Sequence, residues 1–148
     1  MGKTHKAIQL REHIRQIERK LGVLQENQGS CCDITMAQCH ALVEIGRAGS
    51  ISLVKLSETL NLDNSTMSRT VNNLVKKHFV ERQLDTKDRR YITIQLTEGG
   101  REVFEGIEER MNFYFENVLG AIPEDKQQQV LEGLDILLKA LKENQDNK

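Results

Sequence analysis

The residues of this chain best suited to chemistry are those that would meet a polyanion. Between Asn64 and Lys76, positions Ser65, Arg69, Asn72 and Lys76 recur at steps of four, three and four, so they share one face of a helix. Thr66, Ser68 and Asn73 flank that face, and no acid occurs from Asn64 to Val80. Hydroxyls, amides and cations are the groups that bond phosphate oxygens and base edges in a major groove. Arg69 can fork onto a guanine, and Asn72 or Asn73 can pair with an adenine. The competing reading is a solvated surface helix, but such helices usually mix Glu with Lys, as other helices of this chain do. Further on, Lys87, Arg89 and Arg90 gather in the polar run Asp85–Arg90. Arginines at the tip of a short ribbon suit a narrow minor groove. Asp85 and Asp88 can orient an arginine, at Arg82, Arg69 or Arg90, through a charge-assisted bond.

A second reactive group lies upstream, where Cys31, Cys32 and Cys39 cluster and His40 follows. Three thiolates can hold a soft metal or metalloid ion, and a thiol of lowered pKa can be oxidised. Zinc is a further option, with His40, Glu44, His13 or Asp33 supplementing the sulfurs. Against this, Cys39 is the fourth residue after Thr35, where it can pack on Ile34 as a small hydrophobe. Cys31 and Cys32 are neighbours whose side chains point apart, unlike a paired-cysteine zinc knuckle. Both readings stay open. No phosphate-binding glycine loop, helical zinc-protease motif or nucleophile elbow occurs, so an enzyme is not expected.

Helices and a hairpin must position these groups. Leu10, Ile14, Ile17, Leu21 and Leu24 form a seam on a first helix, about 4–26, that Gly29-Ser30 is expected to break. Thr35-Met36-Ala37-Gln38 fits a capping box opening a second helix, about 36–47, ending near Gly49. Ser52 caps a third, about 53–60, with Leu53, Leu56 and Leu60 inward. Asp63 caps a fourth, about 64–78, with Met67, Val71, Leu74, Val75 and His78 inward. The period then changes, and Phe79–Leu84 and Tyr91–Leu96 read as two strands of a hairpin. Thr97 caps a long fifth helix striped by Phe104, Ile107, Met111, Phe115, Val118 and Ile122. Pro123 ends it and opens a sixth, whose seam is Val130, Leu134, Leu137 and Leu141.

Three short helices followed by a hairpin is the order of a winged helix-turn-helix. The predicted class is therefore mainly α, with a small α+β wing and flanking helices. Length and composition agree: 148 residues suffice for a core, and 29% charged residues exclude a membrane protein. No apolar run approaches the roughly 20 residues of a membrane span. Met1-Gly2-Lys3-Thr4-His5 lacks a signal-peptide core, which sets the expectation of a cytoplasmic protein with reduced thiols. The net charge of −1 conceals a split. Residues 64–95 carry a balance of +4, and residues 98–148 one of −6. The local charge, unlike the total, favours a polyanion partner.

The chain from Leu56-Ser57-Glu58-Thr59-Leu60-Asn61-Leu62 through Ser65-Thr66-Met67-Ser68-Arg69-Thr70-Val71 and Leu74-Val75-Lys76-Lys77 resembles the MarR (multiple antibiotic resistance regulator) family. The resemblance continues through Val80-Glu81-Arg82, Asp85, Asp88-Arg89-Arg90 and Leu96-Thr97-Glu98-Gly99-Gly100. The Arg–Asp–Asp–Arg spacing followed by Leu-Thr-x-x-Gly is its most specific part. His78 departs from the family, which usually has glycine there; histidine tolerates a left-handed cap less well, so a slightly different helix end is expected.

The resemblance implies a single domain over 1–148. Its DNA-binding lobe would span 33–100, with dimerisation helices at 4–26 and 101–144. It implies a homodimer on double-stranded DNA with an inverted-repeat operator, acting as a transcriptional regulator and usually a repressor. It also puts the cysteine region beside an effector pocket, so thiol oxidation, a metal ion or an organic molecule would tune DNA affinity. Two other classes compete: a thiol-based metal-handling or redox protein, and a winged helix used only for protein contacts.

Overall fold

The computed structural model describes residues 2–31, 34–85, 87, 88 and 91–146, of which 23–31 and 146 are described by backbone alone. Among the described residues six helices and three short strands follow in the order α1 (Gly2–Cys31), α2 (Met36–Ala48), β1 (Ile51–Ser52), α3 (Leu53–Leu60), α4 (Asn64–Lys76), β2 (Val80–Leu84), β3 (Ile92–Leu96), α5 (Glu98–Gly120) and α6 (Glu124–Asp146). Residues 1–107 form one compact unit and residues 108–148 a second.

The expected caps are all present. Thr35 and Gln38 close a reciprocal capping box, with Thr35 Oγ1 accepting from Gln38 N at 3.2 Å and Gln38 Oε1 accepting from Thr35 N at 3.3 Å. Ser52 Oγ accepts from Lys55 N at 3.1 Å, and Asp63 Oδ1 from Thr66 N at 2.6 Å. At the far end of α2, Gly49 takes φ 79°, the conformation glycine supplies most readily.

Two expectations about boundaries are corrected. α1 does not stop before Gly29-Ser30 but runs through them to Cys31. Gly and Ser cost roughly 1 kcal/mol or less each relative to Ala in a helix, too little to end one by themselves. The sheet also has three strands, not two, in the order β1-β3-β2 and antiparallel throughout. Ile51 pairs with Ile94 and Ser52 with Thr93, while β2 and β3 run in register from Val80↔Leu96 to Leu84↔Ile92. A two-residue strand shows no alternation, so only its pairing reveals it.

In the first unit α2, α3 and α4 pack on one another and β3 lies against α2. Leu42, Ile45, Leu56, Met67, Val71, Leu74, Val80 and Ile94 form the buried centre. On α4 the buried set is Met67, Thr70, Val71 and Leu74, a period of three and four. Thr70 joins it because its hydroxyl is satisfied internally, donating to Thr66 O at 3.0 Å.

The helical period puts His78 on that inward face, but the residue is exposed and does not belong to it. It sits beyond the helix at φ 64°. His78 N donates to Val75 O at 2.9 Å and Phe79 N to Leu74 O at 3.0 Å, the paired bonds of a Schellman cap with His78 in the left-handed position. The histidine therefore takes the conformation a glycine would take and carries its steric cost. His78→Gly is expected to raise stability by about 1 kcal/mol, read as a melting temperature roughly 2–4 °C higher. An unchanged or lower melting point would contradict this account of the cap.

Candidate nucleic-acid interface

The burial of Met67, Thr70, Val71 and Leu74 fixes the rotation of α4 and so determines what faces outward. Ser65, Arg69, Asn72, Asn73 and Lys76 are exposed, and Thr66 and Ser68 are half-buried at the margin. All seven residues expected on the recognition face thus lie on or beside the solvent side of one helix. Its N-terminus is capped by Asp63, whose carboxyl is held below the usual carboxylate range. The Thr66 backbone N–H is the main cause, then the Thr66 hydroxyl, with the charge of Arg69 adding to both. Arg69 Nη2 also lies 3.4 Å from Thr66 Oγ1, so the first turn of the helix holds its arginine near the cap.

The sheet contributes a residue that the sequence pattern did not assign to this face. Along β2, Val80, Arg82 and Leu84 share one side by the two-residue period, and Val80 is buried. α4 packs on β2, and Arg82 Nη2 donates to Asn72 Oδ1. Arg82 was expected, if anywhere, on Asp85 or Asp88; here it reaches across to the recognition helix. On the opposite side of the strand Glu81 Oε1 accepts from Gln95 Nε2 at 2.8 Å, which turns this carboxylate away from α4.

The hairpin tip is tied internally. Asp85 Oδ1 accepts the Lys87 N–H at 2.9 Å, Asp85 N donates to Tyr91 O at 2.9 Å, and Tyr91 N donates to Asp88 O at 3.1 Å. Lys87 is exposed. Arg89 and Arg90 lie outside the described residues.

Of the cysteine group, Cys39 is buried in the first turns of α2, as is Ile34 just before the cap. These are the two positions at which apolar residues clamp a helix entry. His40 is exposed. The side chain of Cys31, and Cys32 altogether, lie outside the described residues. Among the described residues no three His, Cys, Asp or Glu side chains converge as a metal site, and no helix is long and apolar enough to cross a membrane.

Sequence comparison matches the MarR family over residues 34–92. The chain is 31% identical to the multiple antibiotic resistance protein MarR of Salmonella typhimurium over 97 residues, 66% of this chain and 67% of that protein. It is 29% identical to the HTH-type transcriptional regulator YfiV of Bacillus subtilis over 74% of this chain and 68% of the relative. About a third of each of these relatives lies outside the matched segment. Among solved structures, Streptococcus pneumoniae FabT in complex with DNA superposes with a TM-score of 0.82 at 22% identity, covering 91% of this chain and 96% of FabT. A cysteine-to-serine mutant of Escherichia coli MarR complexed with operator DNA gives a TM-score of 0.71 at 28% identity, covering 92% and 95%. The fold and the matched segment from the second helix to the wing thus coincide with one group of DNA-binding, non-enzymatic regulators. The chain belongs to the MarR family of winged-helix transcriptional regulators.

Proposed function

We propose that this regulator binds inverted-repeat operators in double-stranded DNA as a homodimer and represses transcription. The observation that carries the reading is the outer face of α4, where Arg69, Asn72, Asn73 and Lys76 stand exposed with no acid among them. Ser65, Thr66 and Ser68 would bond phosphates or base edges beside them. Lys87, Arg89 and Arg90 would carry the wing to the neighbouring minor groove. The operator-bound MarR and DNA-bound FabT structures support the partner, and the similarity to the B. subtilis repressor MdtR (27% identical) supports the sign of regulation. A homodimer is supported by the apolar residues that α1, α5 and α6 leave exposed, among them Ile8, Phe113 and Leu134. Two recognition helices would then engage half-sites about 34–36 Å apart.

Effector control enters this proposal at the junction of α1 and α2, where Cys31 and Cys32 precede Cys39 and His40. The burial of Cys39 beside the α2 cap favours packing for that thiol, which leaves Cys31 and Cys32 as the ones to oxidise or ligate. The test of the function itself is salt titration of duplex binding with the intact chain. Several phosphate contacts give a steep linear fall of log affinity with log salt. Arg69→Ala should weaken binding about 5- to 150-fold, the equivalent of about 1–3 kcal/mol for a desolvated base contact. Duplex binding that ignores both salt and Arg69 would return the chain to the protein-contact class.

A further inference from the structure

Arg82 touches the recognition face without belonging to the recognition helix. Its position follows from the strand: the two-residue period puts it on the same side of β2 as the buried Val80, and that side packs on α4. Its guanidinium lands on the carboxamide of Asn72, with Nη2 donating to Oδ1. Both residues are exposed, and Asn72 sits mid-way along the outward row between Arg69 and Lys76.

The chemistry of the pair settles which way the amide faces. A guanidinium carries only donors, so the amide atom that meets it is the carbonyl oxygen, and the NH2 end turns away. An asparagine without such a partner can flip by 180° and exchange a donor for an acceptor at little cost. A pinned asparagine must first give up that bond. Readout of a base edge depends on this, because each base pair presents its donors and acceptors in a fixed order in the major groove. An amide free to flip satisfies either order; an amide held in one orientation satisfies one and rejects the other.

We propose that Arg82 is a positioning residue for sequence specificity: by holding Oδ1 of Asn72 it fixes the amide's orientation and makes Asn72 discriminate at one base pair per half-site. This rests on the DNA-binding reading above. Arg82 contributes through Asn72, so its removal should change which base is preferred more than how tightly DNA is held.

The test uses the full-length chain and duplexes selected from a randomised pool, with each base pair of the half-site then varied singly. Arg82→Met keeps the aliphatic stem over the sheet and removes the donors. The wild-type chain should discriminate roughly 10- to 100-fold at the base pair facing Asn72. In Arg82→Met that preference should collapse to within about twofold, while the preferences at other base pairs and the salt slope stay as they were. Asn72→Ala should flatten the same base pair, and the double variant should be no flatter than either single one. An equal loss of affinity for every sequence, or a change in salt slope, would make Arg82 a scaffold or phosphate residue and overturn the inference alone. A wild-type chain that selects no duplex would overturn the DNA-binding reading and this inference with it.

Discussion

Gly100→Ala is expected to destabilise the protein by about 3–5 kcal/mol, while Gly99→Ala, one residue away in the same helical turn, is expected to stay within about 1 kcal/mol of the wild type. A Cβ built on Gly100 falls 1.8 Å from the carbonyl oxygen of Phe79 and 2.8 Å from its carbon, whereas one on Gly99 finds nothing nearer than 3.7 Å. The obstacle at Gly100 is backbone, not the end of a flexible side chain, so relief requires α5 to part from residues 78–79. Two bonds hold them together there, and a third orders the cap of α5 that makes them. Thr97 N donates to Phe79 O at 3.0 Å, Thr97 Oγ1 donates to His78 O at 2.6 Å, and the same oxygen accepts from Gly100 N at 3.0 Å. Each such bond contributes about 1 kcal/mol net, and the separation loses them jointly. Phe79 is also the residue whose N–H closes the cap of the recognition helix on Leu74, so the damage spreads to the DNA-facing side. Thermal melting should show a fall of roughly 10 °C for Gly100→Ala and a shift of at most a few degrees for Gly99→Ala. Equal tolerance of the two substitutions would show that the close approach of α5 to Phe79 is not what this motif is for.

The contrast between those two glycines marks how far the sequence could be read. Gly99-Gly100 was visible as part of a family motif, yet nothing in the letters distinguishes the glycine that is needed from the one that is not. What was legible is local. Thr35, Ser52, Asp63 and Thr97 were readable as caps because the acceptor and the N–H it serves lie within three residues of each other. The outer face of α4 was legible because its inner face is apolar at helical spacing. Features that depend on pairing between distant segments were not. Ile51-Ser52 becomes a strand only by meeting Thr93 and Ile94, and Arg82 acquires its partner only when β2 packs on α4. The persistence of α1 through Gly29-Ser30 falls between these cases, since weak breakers yield when nothing after them offers a better cap.

The largest effect on assembly is expected from Leu134→Glu combined with Leu141→Glu. The second compact unit consists of residues 108–148, the end of α5 and all of α6, which is about the length below which a chain rarely buries enough apolar surface alone. α6 shows the consequence. Leu134 and Leu141, on its predicted seam, remain 45% and 49% exposed, and Ile136 and Leu138, off that seam, are 69% and 64% exposed. A helix apolar on more than one side is ordinarily an interior helix. These exposed residues fit the homodimer proposed above, to which α1 would add apolar residues at Leu10 and Ile17. Burying one leucine is worth about 1.5–3 kcal/mol, and an isologous interface counts each substitution twice. Both are already about half-buried in the protomer, so two glutamates per chain should weaken self-association by about 3–6 kcal/mol, or roughly 10²- to 10⁴-fold, before like-charge repulsion is added. Sedimentation equilibrium at micromolar concentration should report a dimer for the wild type and a monomer for the double variant. Because a monomer engages only one half-site, operator affinity should fall by about 100-fold or more, while a melting transition for the winged lobe should persist. A double variant that stays dimeric and holds its operator would assign these leucines to a different partner, and the dimer would have to rest on α1 and α5 alone.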